Sequence, residues 1–214
     1  MSSLRRSRIY VIAGVNGAGK SSIAGAAFRQ SGADYFNPDE VAGKLTAADA
    51  NLTQSEANGA AWRKGVTLLQ RAIDERLDFA FETTLGANTI PRLLMQAATQ
   101  GIEVRVWYVG LSNPELHIER VQSRVRRGGH EIAEELIRRR YEHSRLNLIE
   151  LLPRLTALRV YDNSADADPA AGQTPKPTLV LHMEQRKILN LPGLQLTPDW
   201  AKPIVAAALK VSLG

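Results

Sequence analysis

Short apolar runs alternate along this chain with longer stretches whose apolar residues recur every three or four positions. Arg8-Ile9-Tyr10-Val11-Ile12-Ala13 is apolar and β-branched and predicts a buried strand. Ser22 to Arg29 predicts a helix. A second, short strand is expected ahead of Pro38, because the proline biases Asn37 to extended geometry. Pro38 then suits the first turn of a helix in which Asp39 and Glu40 are favourable N-terminal acids. From Thr53 to Arg76, Ala57, Ala60, Ala61, Leu68, Leu69, Ala72 and Ile73 make one apolar side. Thr53-Gln54-Ser55-Glu56 fits a capping box at its start. Trp62, Arg63 and Lys64 interrupt this pattern and could face a cleft, although a solvated basic turn accounts for the two cations.

The second half continues the alternation. Leu77 to Phe81 predicts a third strand, closing on Glu82-Thr83-Thr84. Asn88 to Gln100 predicts a helix with Pro91 in its first turn and Gly101 as its stop. Ile102 to Gly110 reads as an interior strand, and Asn113-Pro114-Glu115 opens another helix. On that helix Ile118, Val121 and Val125 share one face, while Arg120, Arg124 and Arg127 share another. Gly128-Gly129-His130 breaks it, with His130 fitting a loop residue better than a catalyst. A helix from Glu131 to Leu152 carries Arg138-Arg139-Arg140, whose arc is too wide for all three to face one site. Leu155 to Tyr161 predicts a fifth strand. Asp166 to Pro177 is a Pro/Ala/Gly-rich loop, Thr178 to Met183 an edge strand, and Pro198 to Val211 a closing helix. Strands alternating with helices predict an α/β fold with a mainly parallel central sheet. Residues 1–214 are expected to form one domain, with a helical lid at about 113–152 and a C-terminal extension at about 165–214.

Composition narrows the chemistry. The 214 residues include no cysteine, which excludes disulfides, thiol catalysis and Cys-based zinc sites. The basic segment Met1 to Arg8 leads into a strand too short for a secretory apolar region, and no run reaches membrane-spanning length, so a cytoplasmic protein is expected. Ten arginines face five glutamates between Arg120 and Arg159, matching the net charge of +5. Sparse aromatic interleaving argues against a single-strand nucleic-acid platform, and arginines near a phosphate site suit phosphoryl groups.

That phosphate site is Gly14-Val15-Asn16-Gly17-Ala18-Gly19-Lys20-Ser21, which fits G-x-x-x-x-G-K-[ST] between a predicted strand and helix. Its glycines let successive N–H groups turn inward as an anion nest at a helix N-terminus. Asn16, Gly17, Ala18, Gly19, Lys20, Ser21 and Ser22 are the expected nucleotide-binding residues. Lys20 would reach the β- and γ-phosphates of ATP or GTP, and Ser21 would ligate Mg²⁺. A dinucleotide fingerprint starting at Gly17 would place Ser22 where its third glycine belongs, and leaves Lys20-Ser21 without a role. Asp39 and Glu82 both follow strands, where open α/β sheets put their ligands. Asp39 is either a site acid or a helix N-terminal acid. Glu82 is a Mg²⁺-side acid, a group that orients a hydroxylated acceptor, or a strand-end partner. The turn Asp162-Asn163-Ser164 could border the nucleotide base, and turn chemistry explains it equally well.

On these residues the sequence resembles the zeta-toxin family of phosphate-loop kinases. The resemblance runs from Ile9 to Ser164 and rests on the Gly14–Ser21 loop, Asn37-Pro38-Asp39-Glu40, Phe81-Glu82-Thr83-Thr84, and Arg120 to Tyr141 with Gly128-Gly129-His130. It implies a three-layer P-loop kinase fold with a helical lid. It implies transfer of phosphate from ATP or GTP to a hydroxyl of UDP-N-acetylglucosamine, and inhibition by a small antitoxin. It gives Asp39 the role of catalytic base, and Glu82 and Thr84 that of acceptor contacts. Two lid arginines bracket the phosphates in the family; Arg120, Arg124 and Arg127 compete for the first place. The chain is shorter than those toxins and differs after Asp39, so the kinase chemistry transfers better than the acceptor. A small-molecule kinase is therefore expected ahead of a polynucleotide kinase or a nucleotide-regulated interaction protein.

Overall fold

The computed structural model describes residues 6–21, 23, 35–165 and 176–214. The helix expected at Ser22 to Arg29, apart from Ile23, and most of the Asp166 to Pro177 loop lie outside the described residues. The strands are β1 (Arg8–Ala13), β2 (Tyr35–Phe36), β3 (Phe79–Thr83), β4 (Glu103–Gly110), β5 (Ala157–Asp162), β6 (Thr178–Glu184) and β7 (Lys187–Asn190). The helices are α1 (Pro38–Ala48), α2 (Gln54–Asp74), α3 (Thr89–Thr99), α4 (Pro114–Val125), α5 (Glu134–Leu151) and α6 (Lys202–Leu213). The strands form one sheet in the order β2-β3-β1-β4-β5-β6-β7. The first five are parallel, and β6 and β7 are antiparallel.

Val11, Ile12 and Ala13 are all buried although successive side chains point to opposite faces of β1. Both faces of the sheet are therefore covered, and the three-layer α/β expectation holds. Local chemistry fixes the helix starts near the site. Asn37 caps α1 by accepting from the Asp39 N–H at 2.9 Å, with Pro38 at the first helical position. Asn113 caps α4 with Pro114 behind it, and Thr53 and Glu56 form the capping box of α2. A small cluster of Ala42, Ala57 and Ala61 packs α1 against α2.

Two expectations are corrected. β6 is not the edge of the sheet, because β7 pairs outside it. The turn between them, Gln185-Arg186, has φ of 46° and 66° without a glycine or asparagine, so the usual hairpin signal is missing from the sequence. The helix expected from Glu131 begins at Glu134. Residues His130 to Ala133 instead run along the wall of a cavity, and Gly128 at φ 89° ends the preceding helical turn.

Candidate active site

The Gly14–Ser21 loop leaves β1 and is held by groups far away in sequence. An anion nest needs its N–H groups facing inward, so its carbonyls must find partners on the protein side. Val15 O accepts from Ala18 N at 3.1 Å and from Lys20 Nζ at 3.4 Å. Asn16 O accepts from His117 Nδ1 at 2.8 Å, and Ala18 O from Asn163 Nδ2 at 2.9 Å. Gly19 has φ 85°, and a Cβ there would lie 2.6 Å from Asn163 Nδ2. Burial pushes the His117 imidazole down to about 4, so at neutral pH it is uncharged and donates from Nδ1. Asn163 is therefore buried against the loop.

Glu82 is the hub of the site. It lies opposite Ile12 in the β1–β3 ladder and is only 7% exposed. Its Oε1 is 3.4 Å from Lys20 Nζ, which is itself 8% exposed. Its Oε2 accepts from Ser21 Oγ at 2.9 Å, from Asn37 Nδ2 at 3.4 Å and from the Tyr35 hydroxyl. A lysine and a hydroxyl gathered on one buried carboxylate beside the Gly14–Ser21 loop can receive polyphosphate and a hard cation.

Across a cavity of about 440 Å³ stands Asp39, in the first turn of α1. Arg124 Nη1 is 3.7 Å from its Oδ2, and His130 Nε2 is 4.0 Å from its Oδ1. Arg124 Nε and Nη2 are buried and have no partner among the described residues, leaving donors for an anion. Arg140 Nη1 donates to the Asn16 side chain at 2.7 Å and lines the cavity, and burial lowers its pKa from the ordinary value. Thr84 lines the cavity beside Glu82, its Oγ1 accepting from Gly86 N at 3.3 Å.

The structure thus brings Asn16, Lys20, Asp39, Glu82 and Thr84 around one cavity, with Ser21 bonded to Glu82 and Arg124 paired with Asp39. Gly17, Ala18 and Gly19 complete the loop; Ser22 lies outside the described residues. Arg127 is not brought to the cavity, because its guanidinium folds back onto Ser123 of α4. Arg120 donates to Ala165 O. From the sequence alone, His117 and Tyr35 receive no role, His130 is set aside as a loop residue, Asn163 sits in a turn that could border the base, and Arg140 is not singled out. For Arg140 a signal existed in the Arg138–Arg140 run. The other two arginines of that run are exposed, Arg138 on Glu115.

A zeta-toxin family model matches residues 1–168. An uncharacterized protein of Haemophilus influenzae is 31% identical over 129 residues, covering 60% of this chain and 88% of that protein. Among solved structures, a chain of the AvrRxo1-ORF1:AvrRxo1-ORF2 complex determined with ATP superposes with a TM-score of 0.65 at 15% identity. That match covers 92% of this chain and 66% of the other, so this chain spans just under two thirds of its length. The PezAT toxin–antitoxin system of Streptococcus pneumoniae gives a TM-score of 0.51 at 17% identity, covering 82% of this chain and 75% of that one. At these identities the solved structures show the fold alone, an α/β P-loop kinase fold. No helix among the described residues is long and apolar enough to cross a membrane.

Proposed function

Because the chain belongs to the zeta-toxin family and has a P-loop kinase fold, we propose that it transfers the γ-phosphate of ATP or GTP to a hydroxyl of a small-molecule acceptor, with a nucleotide sugar such as UDP-N-acetylglucosamine as the acceptor class. One observation carries this reading. The buried Lys20–Glu82–Ser21 cluster and the half-exposed Asp39 face the same cavity, donor chemistry on one side and a candidate base on the other.

Phosphoryl transfer asks a protein mainly for positioning and charge neutralisation. Lys20 and the loop amides hold the donor phosphates. Mg²⁺ fits the Ser21 hydroxyl with Glu82 at 2.9 Å from it, two hard oxygen donors where such sites use one or two protein ligands plus phosphate. When bound, the ion neutralises phosphate charge. Asp39 accepts the acceptor's hydroxyl proton, and Arg124, with its two orphan donors, stabilises the transferring group. Arg140, anchored on Asn16, lines the same cavity as a second arginine for the phosphates. Thr84 contacts the acceptor, and Glu82 orients that site while holding the metal side. Arg120 and Arg127 stay outside this scheme, since each is engaged elsewhere. The S. pneumoniae relative comes from a toxin–antitoxin system, and we extend a protein antitoxin to this chain on that basis.

The deciding experiment is an acceptor screen with γ-labelled ATP and Mg²⁺, run beside Lys20→Ala. Label should move to a hydroxyl-bearing metabolite with wild type and not with the variant. Label released only as inorganic phosphate, whatever acceptor is added, would refute the transferase.

A further inference from the structure

One wall of the cavity has no part in the chemistry proposed above. It is the face of α2 bearing Gln54, Asn58 and Trp62, four residues apart and so stacked along one side of the helix. Trp62 is 46% exposed, a large indole standing in the cavity wall instead of the core. Its neighbours Arg63 and Lys64 are exposed and do not line the cavity, so the wall itself carries no charge. Gln54 Nε2 donates to Asn58 Oδ1 at 2.9 Å. That bond leaves the Gln54 carboxamide oxygen and the Asn58 carboxamide N–H groups without a partner among the described residues. One turn beyond Trp62, Gly65 has no Cβ; one placed there would lie 2.7 Å from Phe36 Cε1. Phe36 therefore seats against α2 and closes the end of the wall.

We propose that this face of α2 holds the nucleobase of a nucleoside-containing acceptor, with the base stacked on Trp62 and its edge read by the Gln54–Asn58 pair. The inference rests on the kinase reading and assigns acceptor choice to α2, not to the arginine-bearing helices. Carboxamide donors and an acceptor on one cavity wall suit the edge of a base, with which glutamine and asparagine make paired hydrogen bonds. A flat exposed indole offers the stacking surface that bases use on proteins. The Ala42, Ala57 and Ala61 contact fixes α2 against α1, which carries Asp39 in its first turn, and Trp62 and Asp39 line the same cavity.

The test is saturation-transfer NMR with uridine as the probe, on the full chain saturated with a non-hydrolysable ATP analogue so that the donor site is filled. Uridine should bind wild type, lose roughly tenfold or more in affinity with Trp62→Ala, and recover most of it with Trp62→Phe. Asn58→Ala should cost several-fold. In turnover, Trp62→Ala should raise the KM of a nucleotide-sugar acceptor and leave the KM of ATP unchanged. No saturable uridine binding, or equal binding by Trp62→Ala, overturns the proposal. Trp62-dependent binding of N-acetylglucosamine in place of uridine also overturns it, by making the wall a sugar site. Failure of the kinase reading shows differently: no transfer to any acceptor, while uridine binding still depends on Trp62.

Discussion

The two sides of the cavity are built in contrasting ways. On the β1–β3 side, Lys20 and Glu82 are almost fully buried, and the loop carbonyls are satisfied at 2.8 to 3.4 Å. On the α4 side, Asp39 is half exposed, and its contacts with Arg124 and His130 lie at 3.7 and 4.0 Å. The first side is finished without a ligand, so the cost of ordering its backbone is met during folding. The second has donors in place and bonds left unmade, the arrangement expected of groups that tighten on a charged ligand. Donor binding and phosphoryl transfer should therefore respond to different substitutions.

The largest effect belongs to Lys20→Ala. It should abolish transfer and also the thermal stabilisation by Mg-ATP, which follows from binding to the folded state alone. A variant shifted by ATP as much as wild type would mean that the finished side does not hold the donor. Next comes Arg124→Ala, where loss of an arginine acting on transition-state charge should lower kcat about a thousandfold while ATP affinity is mostly kept. Asp39→Asn should cost about a hundredfold or more in kcat, again with ATP binding retained by calorimetry. If either change instead weakened ATP binding without touching kcat, the division between the two sides would disappear.

His117 sharpens the comparison from beneath the loop. His117→Ala leaves the Asn16 carbonyl without its donor and should raise the KM of ATP roughly tenfold. His117→Asn, whose Nδ2 can replace Nδ1, should restore much of it. The same residue sets a pH dependence. Its pKa is about 4 in the folded protein against 6.5 unfolded, so the unfolded chain takes up the proton first. Its contribution is complete above pH 6.5 and is lost as pH falls towards 4, on the order of 3 kcal/mol in all. Urea unfolding across that range should show the slope, and His117→Asn should flatten it. The smallest effect is expected from Arg127→Ala, within about twofold in kcat, because its guanidinium bonds Ser123 of α4.

What could be read in the sequence was local. Asn37-Pro38-Asp39, Thr53 to Glu56 and Asn113-Pro114 each specify a helix start within four residues, and all three were legible. The phosphate loop was legible because its pattern is contiguous. The residues that tie it down were not, since His117 and Arg140 lie 101 and 124 positions from Asn16. No periodicity or composition signals a pairing at that distance. The Gln185-Arg186 turn escaped for a different reason: its positive φ angles are imposed by the pairing of β6 with β7 instead of by glycine or asparagine. Among the arginines, helical spacing put Arg120, Arg124 and Arg127 on one face, but α4 ends at Val125, before Arg127, and spacing could not say where each guanidinium ends.

Asn16 occupies a position that the phosphate-loop pattern leaves unspecified, yet its backbone oxygen takes a bond from α4 and its side chain another from α5. A loop of this kind is not a transplantable cassette. Grafting Gly14 to Ser21 onto another strand–helix junction would carry the whole motif and leave behind the imidazole and guanidinium that hold it in shape. An engineer moving this loop would have to move three segments of chain together, and a loop-swapped chimera keeping its own residues at the counterparts of His117 and Arg140 should bind nucleotide more weakly than either parent.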